Sequence, residues 1–568
     1  MRTRVSMPVR MVRQPVLLVL LAWLTTPWSG ASSAPRALLP VPSGQVETST
    51  GGCLPATATN PDGNYIVPGT AGGIVYREID GRRLALDAYL PSTAGDARGV
   101  VVVVHGGGYS SGSRVSFVGQ LLELLGDAGI PFVSVEYRLG GPERAAEAVD
   151  DVRAAVAFVR CHAGSFGIDP DRVVLLGEDT GAEIALALAD AGTPGVAGAA
   201  LVGGRFHKAL PAAKQGTPAA PDQMGPTAAR LSLLMIHGAS DTEQPIDAVR
   251  ALCAERRSGG AACDMVTVNG AIHRMENWRP DQWSYKRRLV SWLEDRGLGP
   301  GRAASQAPAR EPGLPDRLAP GLHKRVPFDR EHGLTLDAWL PPAGNRPAPA
   351  ALLVHGGGWE AGDRVTYITP LFEPLARAGV AWFSIDYRLT PEVRHPAQMD
   401  DVRTALRFVR EHAARFRIDP RRIVLVGESA SGQMVTLLAT EDTGLAGVVS
   451  FYGVYDFAPL VQDASPRSLA ARLFGRRVLD EGARALLRKY SPLHAAHGRM
   501  PPTLLVHGTS ERLWEQGVAM ADRLRALGVR HELLRLEGAP HGMENWEGRP
   551  EWAHYKEKTL GWITRIDD

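Results

Sequence analysis

The sequence predicts two tandem α/β domains, each with a mostly parallel sheet and helices on both of its faces. Three observations support this prediction. The chain has 568 residues, which is too long for one hydrophobic core of ordinary size. It also repeats itself, because Leu84 and Leu334 begin nearly identical segments 250 residues apart. Within each repeat, short apolar runs alternate with segments of helical spacing, as in parallel sheets.

The N-terminal segment 1–31 has the pattern of a secretory signal peptide. It combines four arginines and no acidic residue with an apolar run over 16–24 and small residues at 29–31. That run is much shorter than the ~20 residues of a transmembrane helix. We therefore expect a secreted or periplasmic protein without a membrane span after signal removal. An uncleaved anchor is the alternative, which the short run disfavours.

The composition argues against a nucleic acid or an anionic membrane as a partner. The formal net charge is +2, and four of the positive charges belong to the predicted signal peptide. The remainder of the chain is close to neutral, so it offers no strong field for a polyanion. No pattern in the sequence predicts an oligomeric state.

The four cysteines, Cys53, Cys161, Cys253 and Cys263, all lie in the first half of the chain. An even number in an exported chain favours disulfides. Because Cys253 and Cys263 are close in sequence, across a helix-to-strand connection, we predict the pairs Cys253–Cys263 and Cys53–Cys161. Four unpaired thiols are the alternative.

The repeat and the local composition together predict the domain boundaries. Residues 32–66 are rich in Ser, Thr, Pro, Gly and Asn, which is typical of a flexible arm. Residues 297–320 lack apolar periodicity and are typical of a semi-stiff linker. The two domains then cover residues 67–296 and 321–568. The second contains about 20 extra residues, which we place in a cap segment.

Each copy contains the same order of predicted strands and helices. In the first copy, the strands are 100–104, 132–135, 173–176 and 231–236, and the helices are 149–159 and 283–293. In the second copy, the strands are 351–354, 382–385, 423–426 and 503–506, and the helices are 400–409 and 552–563. Sites form at the carboxyl ends of parallel strands, so the motifs that follow these strands can meet at one edge.

A serine in the second copy lies on a predicted strand-to-helix turn. The strand ends at Gly427, Ser429 follows, and residues 433–439 have helical character. A serine on such a sharp turn is typical of a nucleophile. Ser431 stands where a second glycine is usual. In the first copy, Asp179 occupies the place of Ser429.

The second copy also contains candidates for a base and its orienting acid. A serine hydroxyl attacks well only when a base takes its proton, and the base needs a carboxylate to orient it. His541, in a loop after the apolar stretch 532–536, is the predicted base. Glu511, four residues after the strand-ending His507, is the predicted acid, and Glu515, one turn further on, is its rival.

The segment that begins at His355 contains three consecutive glycines after a buried strand. Glycines let the backbone approach a ligand and offer bare N–H donors. We predict an oxyanion hole formed by the N–H groups of Gly357, Gly358 and Ala430, and a packed rather than catalytic role for His355. A phosphate-binding loop is disfavoured, because neither glycine-rich nucleotide motif is present.

Taken in order, the motifs of the second copy resemble those of the hormone-sensitive-lipase-like esterases of the α/β-hydrolase fold. The motifs are His355-Gly-Gly-Gly-Trp359, Tyr387-Arg-Leu389, Gly427-Glu-Ser-Ala430, His507-Gly-Thr509 and His541-Gly542. The tryptophan followed by Gly362-Asp363 is similar to bacterial feruloyl and acetyl-xylan esterases. The resemblance covers nearly all of residues 321–568. It implies two tandem α/β-hydrolase domains and a serine esterase without a cofactor or metal.

Two residues depart from the family pattern, and several aromatic residues suggest a pocket. Ser431 replaces a glycine, and Glu511 replaces the usual aspartate. The extra segment of the second copy is rich in aromatic residues, as expected for a lid or an acyl pocket. We predict Trp359, Tyr452 and Trp514 as substrate-binding residues for a small aromatic or acyl group. Packing in the core of the cap is the alternative for each.

The first copy keeps two of the three predicted site positions. Asp179 replaces the serine, whereas Asp241 and His273 correspond to the acid and the base. We predict a degenerate, non-catalytic domain in which Arg274 holds Asp179 as an ion pair. An aspartate nucleophile, which needs no base to attack, and a binding module are the alternatives.

The sequence thus predicts an exported serine carboxylesterase with one active domain, the second. Its substrate would be a small-molecule or polysaccharide-linked ester. A non-enzymatic binding protein built from two degenerate domains is one alternative. An amidase or peptidase on the same fold is another.

Overall fold

The computed structural model describes residues 53–60, 63–91, 98–206, 231–299, 317–441, 444–461 and 468–565. These residues form two eight-stranded sheets, one in each copy. The strands of the first are β1 Thr70–Ile79, β2 Arg82–Tyr89, β3 Arg98–Val104, β4 Phe132–Val135, β5 Ile168–Glu178, β6 Val196–Val202, β7 Ser232–Gly238 and β8 Cys263–Val268. Those of the second are β9 Gly321–Asp329, β10 Leu334–Leu340, β11 Ala348–Val354, β12 Ala381–Ile385, β13 Ile418–Glu428, β14 Gly447–Phe451, β15 Thr503–Gly508 and β16 His531–Leu536.

The two sheets have the same topology. The strand order is β1-β2-β4-β3-β5-β6-β7-β8 in the first sheet. It is β9-β10-β12-β11-β13-β14-β15-β16 in the second, which is the same arrangement. The second strand of each sheet is antiparallel to its neighbours, and the remaining pairs are parallel. The predicted fold class, two tandem α/β-hydrolase domains with mostly parallel sheets, is confirmed.

Helices connect the parallel strands and cover both faces of each sheet. In the first copy they are α1 Gly119–Asp127, α2 Ala145–Cys161, α3 Ala163–Phe166, α4 Thr180–Asp190, α5 Ile246–Ser258 and α6 Ser284–Glu294. In the second they are α7 Phe372–Arg377, α8 Ala397–Glu411, α9 Ala413–Phe416, α10 Ala430–Glu441, α11 Leu469–Phe474, α12 Glu481–Lys489, α13 Pro492–Ala495, α14 Trp514–Ala526 and α15 His554–Thr564. Helices α11 to α13 form the cap segment that the first copy does not match by sequence.

The two copies share one hydrophobic core. In β3, Val101 and Val103 belong to a cluster that also contains Ala351 and Leu353 of β11. The residues that alternate with these in β3 and β11 belong to two other clusters, each confined to one copy. Because successive side chains of a strand point to opposite faces, the shared core lies on one face of each sheet. Helices of each copy cover that face of its own sheet, and the cluster continues from one copy into the other.

Both predicted disulfides are present, Cys53–Cys161 and Cys253–Cys263. The first ties the N-terminal segment to α2. Near the end of the predicted arm, Tyr65 and Ile66 are packed in the shared core. The predicted signal peptide, residues 1–31, lies outside the described residues, as does most of the predicted linker. Within the described part of the chain, no helix combines the length and the apolar character needed to span a bilayer.

Candidate active site

Ser429 lies at the turn between β13 and α10. Its φ of +55° is rare for a residue with a Cβ, and such strain is typical of a nucleophile presented at a sharp turn. Its backbone N–H donates to the carbonyl oxygen of Phe451 at 2.9 Å. Gly427 permits the turn, because a Cβ there would lie 2.5 Å from the carbonyl oxygen of Ser431. Ala430 begins α10, where helical N–H groups lack partners within the helix.

Ser431 ties this turn to the neighbouring strand. Its hydroxyl donates to the carbonyl oxygen of Val354 at 2.6 Å and accepts from the N–H of Glu428 at 2.8 Å. In the first copy, Gly181 stands at this position, and a Cβ there would lie 2.1 Å from the carbonyl oxygen of Val104. The second copy thus has room for a hydroxymethyl group, and its hydrogen bonds explain why a serine is tolerated.

The structure brings the three predicted triad residues together. Nε2 of His541 lies 2.9 Å from Oγ of Ser429, and Nδ1 of the same ring lies 2.5 Å from Oε2 of Glu511. The first contact is within the range required for general base catalysis, and the second determines which ring nitrogen carries the proton. The side chain of His541 is 41% exposed, so a substrate can approach it from solvent.

A second histidine holds the other oxygen of Glu511. Nδ1 of His507 lies 2.8 Å from Oε1. Burial raises the pKa of Glu511, but the hydrogen bonds with His507 and His541 lower it below its ordinary value. Burial lowers the pKa of His507, which keeps that ring neutral and able to donate to the carboxylate. Sequence reasoning did not assign His507 to the site, although His237 repeats it and contacts Asp241 in the first copy.

The glycine loop of the first copy reveals where its N–H groups point. Those of Gly107 and Gly108 donate to Oδ2 of Asp179 at 3.1 and 3.3 Å. Gly357 and Gly358 occupy the same positions in the second copy, and both adopt a positive φ that favours glycine. The negatively charged oxygen in the first copy thus lies where an oxyanion is predicted in the second.

The other predicted residues of the first copy also lie together. Nε2 of His273 lies 3.1 Å from Oδ1 of Asp179, and Nδ1 lies 2.7 Å from Oδ2 of Asp241. Burial raises the pKa of Asp179, but the hydrogen bond with His273 and nearby cations lower it to about 2. Burial lowers the pKa of His273, whereas its two carboxylate partners raise it to about 9. At neutral pH, the site is therefore an ion pair.

The arginine that pairs with Asp179 is Arg205 and not the predicted Arg274. The Arg205 guanidinium lies 3.3 Å from Oδ1 of Asp179. Arg274 instead contacts Asn545 and Glu276, each at 3.3 Å. Arg205 follows β6, a strand that the sequence did not predict. Both oxygens of Asp179 are thus engaged, which disfavours the alternative of an aspartate nucleophile.

Two of the predicted substrate-binding aromatics lie away from the cavity at the nucleophile. A cavity of about 160 Å³ lies beside Ser429, and other residues line it. Trp359 is 3% exposed and packs against Phe457 of the cap, with ring centroids 5.5 Å apart. Trp514 begins α14 and lies edge-on to the ring of His507 at 6.4 Å. Their positions match packing more closely than contact with a ligand in this cavity.

The third predicted aromatic, Tyr452, supports the base. It is fully buried, and its ring lies 4.6 Å from that of His541. Its hydroxyl accepts a hydrogen bond from the N–H of Met543 at 2.7 Å. Tyr452 therefore holds the loop that carries His541 and does not line the cavity.

Comparison with known proteins identifies the family. The BD-FAE family matches residues 86–195 and 336–524, one stretch in each copy. Over 249 residues, the chain is 29% identical to esterase LipC of Mycobacterium tuberculosis, covering 40% of this chain and 60% of LipC. Over 274 residues, it is 29% identical to carboxylesterase NlhH of the same species, covering 43% of this chain and 83% of NlhH.

Among solved structures, a truncated carbohydrate esterase from gut microbiota aligns with 45% of this chain. The alignment covers 99% of that protein, with 22% identity and a TM-score of 0.39. The family match extends over more than half of the chain. The chain therefore belongs to the BD-FAE family and is a carboxylic ester hydrolase of the α/β-hydrolase fold.

Proposed function

We propose that the chain is an exported serine carboxylesterase whose single active site lies in the second copy. The observation that carries this proposal is the hydrogen-bonded chain from Ser429 through His541 to Glu511. The equivalent chain in the first copy begins with Asp179, which is already charged and fully engaged. The first copy is therefore proposed to be non-catalytic.

The reaction follows from the geometry of these groups. Oγ of Ser429 attacks the ester carbonyl while Nε2 of His541 takes its proton, and the N–H groups of Gly357, Gly358 and Ala430 hold the oxyanion. His541 then gives the proton to the leaving alcohol, and the acyl group stays on Ser429. Water repeats the sequence and releases the acid. Glu511 orients His541 and stabilises its charged form.

Two features support the proposed export. The signal-like pattern of residues 1–31 is one, and the pairing of all four cysteines is the other. Disulfides persist in oxidising compartments. Small-molecule or polysaccharide-linked esters are the proposed substrates.

Hydrolysis of p-nitrophenyl acetate by single variants tests the proposal. Ser429→Ala removes the attacking oxygen and is expected to lower kcat by at least about 10³-fold. Asp179→Ala is the matched control at the same position of the other copy, and we expect it to keep most of the activity. Full activity in Ser429→Ala would refute the assignment. Faster cleavage of the matching p-nitroanilide than of the ester would favour an amidase.

A further inference from the structure

Part of the cavity wall beside Ser429 comes from the first copy. The cavity, of about 160 Å³, contacts the nucleophile, His541 and Gly357 of the second copy. Four residues of the first copy complete its lining, namely Phe117, Arg274, Glu276 and Asn277. The first copy, which has Asp179 in place of the nucleophilic serine, thus reaches the active site of the second copy.

Hydrogen bonds between the copies fix this wall in place. The N–H of Phe117 donates to Oε1 of Glu544 at 3.1 Å. The hydroxyl of Tyr367 lies 2.7 Å from the carbonyl oxygen of Glu276 and 2.9 Å from Oδ1 of Asn277. The copies also share a hydrophobic core, so both packing and hydrogen bonds hold the wall against the second copy.

Arg274 connects the wall to the loop of the base. Its guanidinium lies over the ring of Phe117 at 4.8 Å and donates to Oδ1 of Asn545 at 3.3 Å. The amide of Asn545 in turn donates to the carbonyl oxygen of His541 at 2.8 Å. A substituent in the cavity therefore meets a side chain of the first copy next to the catalytic loop.

The lining contains three carboxyl groups, those of Glu276, Glu428 and Glu544, and one guanidinium, that of Arg274. Burial raises the pKa of Glu428 to about 7 and that of Glu544 to about 8, and it also raises that of Glu276. Arg274 forms an ion pair with Glu276 at 3.3 Å. An anionic substituent would be desolvated beside three carboxyl groups and an arginine that already pairs with Glu276, so the cavity suits an uncharged group better than an anion.

The size of the cavity limits what can enter. An apolar cavity of about 150 Å³ accepts benzene, so about six non-hydrogen atoms fit here. A polymeric alcohol is too large for this space, whereas an acyl group bonded to Ser429 would lie next to it. We propose that Phe117, Arg274 and Asn277 of the first copy determine the specificity of the second, limiting it to short, uncharged acyl groups. This inference rests on the proposed serine esterase function.

A series of p-nitrophenyl esters tests the inference in the full chain. We expect the wild type to lose at least about tenfold in kcat/KM between butyrate and octanoate. Phe117→Ala enlarges the cavity and is expected to raise the octanoate-to-acetate ratio of kcat/KM at least about tenfold. Phe117→Leu removes less volume, so we expect it to raise the same ratio about threefold. Because leucine still fills part of the apolar site, this variant tests the inference if Phe117→Ala fails to fold.

The control variant is Gln120→Ala. In the wild type, the side-chain amide of Gln120 donates to Oγ1 of Thr366 in the other copy at 3.0 Å, but Gln120 does not line this cavity. We expect the octanoate-to-acetate ratio of kcat/KM in Gln120→Ala to equal that of the wild type. Each variant is first labelled with a fluorophosphonate. A labelled Ser429 with an unchanged ratio in Phe117→Ala and Phe117→Leu overturns this inference alone, whereas no label at Ser429 overturns the proposed function as well.

Discussion

At the residue scale, the carboxylate of Glu511 is held more firmly than a triad acid bound only by its base. One oxygen contacts His541, and the other contacts His507. A glutamate side chain is longer and more flexible than the usual aspartate. The second imidazole offsets this flexibility, because it holds the carboxylate oxygen that His541 does not contact.

Replacing Glu511 by glutamine tests this account. The amide cannot supply the negative charge that stabilises the imidazolium, so we expect Glu511→Gln to lower kcat about 10²- to 10⁴-fold with little change in KM. Glu515→Gln is the matched control, because Glu515 was the rival acid in the sequence and the carboxylate that contacts His541 belongs to Glu511. A larger loss of kcat in Glu515→Gln than in Glu511→Gln would reverse the assignment.

At the scale of elements, the two strand-to-helix turns provide an internal comparison. Both apex residues adopt a positive φ, +49° for Asp179 and +55° for Ser429. Both backbone N–H groups donate to the strand that follows the helix, at 2.9 Å. The turn therefore belongs to the fold, and the apex side chain, Asp179 or Ser429, is the difference that bears on catalysis.

The first copy should regain a nucleophile through one substitution. In Asp179→Ser, the hydroxyl would face Nε2 of His273, which Asp241 already orients, and the N–H groups of Gly107 and Gly108 would become free. We expect a second site of fluorophosphonate labelling, mapped by mass spectrometry of the peptides. Asp179→Ala, which frees the same donors without a hydroxyl, is expected to show no second label. A folded Asp179→Ser protein without that label would refute this geometry.

The elements that carry the motifs were predictable from the sequence, and others were not. β4 has the predicted bounds, and β5 and β13 contain the predicted strands, because their apolar runs are buried on both faces. The strand β6, Val-Ala-Gly-Ala-Ala-Leu-Val, has few β-branched residues and is fixed by its neighbours. Arg205 follows it and was missed for that reason. The disulfides were predictable because Cys253 and Cys263 are close in sequence, which favoured one of the three possible pairings.

At the scale of the whole molecule, the two copies form one structural unit. The shared core is invisible in the sequence, because a face that packs on a second domain has the same apolar pattern as a face that packs on a helix. For the same reason, the sequence led us to predict a pocket lined by Trp359, Tyr452 and Trp514, all in the second copy. The structure instead lines the cavity with Phe117 and Arg274 from the other copy. By the repeat, Phe117 corresponds to Tyr367 and Arg274 corresponds to Gly542. This correspondence is the sequence signal that could have pointed to the two residues of the first copy.

One of the two similar domains, the second, is proposed to carry the chemistry. The stoichiometry of fluorophosphonate labelling in the wild-type chain, with the modified peptide identified by mass spectrometry, tests this proposal most directly. We predict one label per chain, on Ser429, because the hydroxyl that His541 activates lies there. A labelled residue other than Ser429, or a chain that hydrolyses esters and takes up no label, would contradict the account.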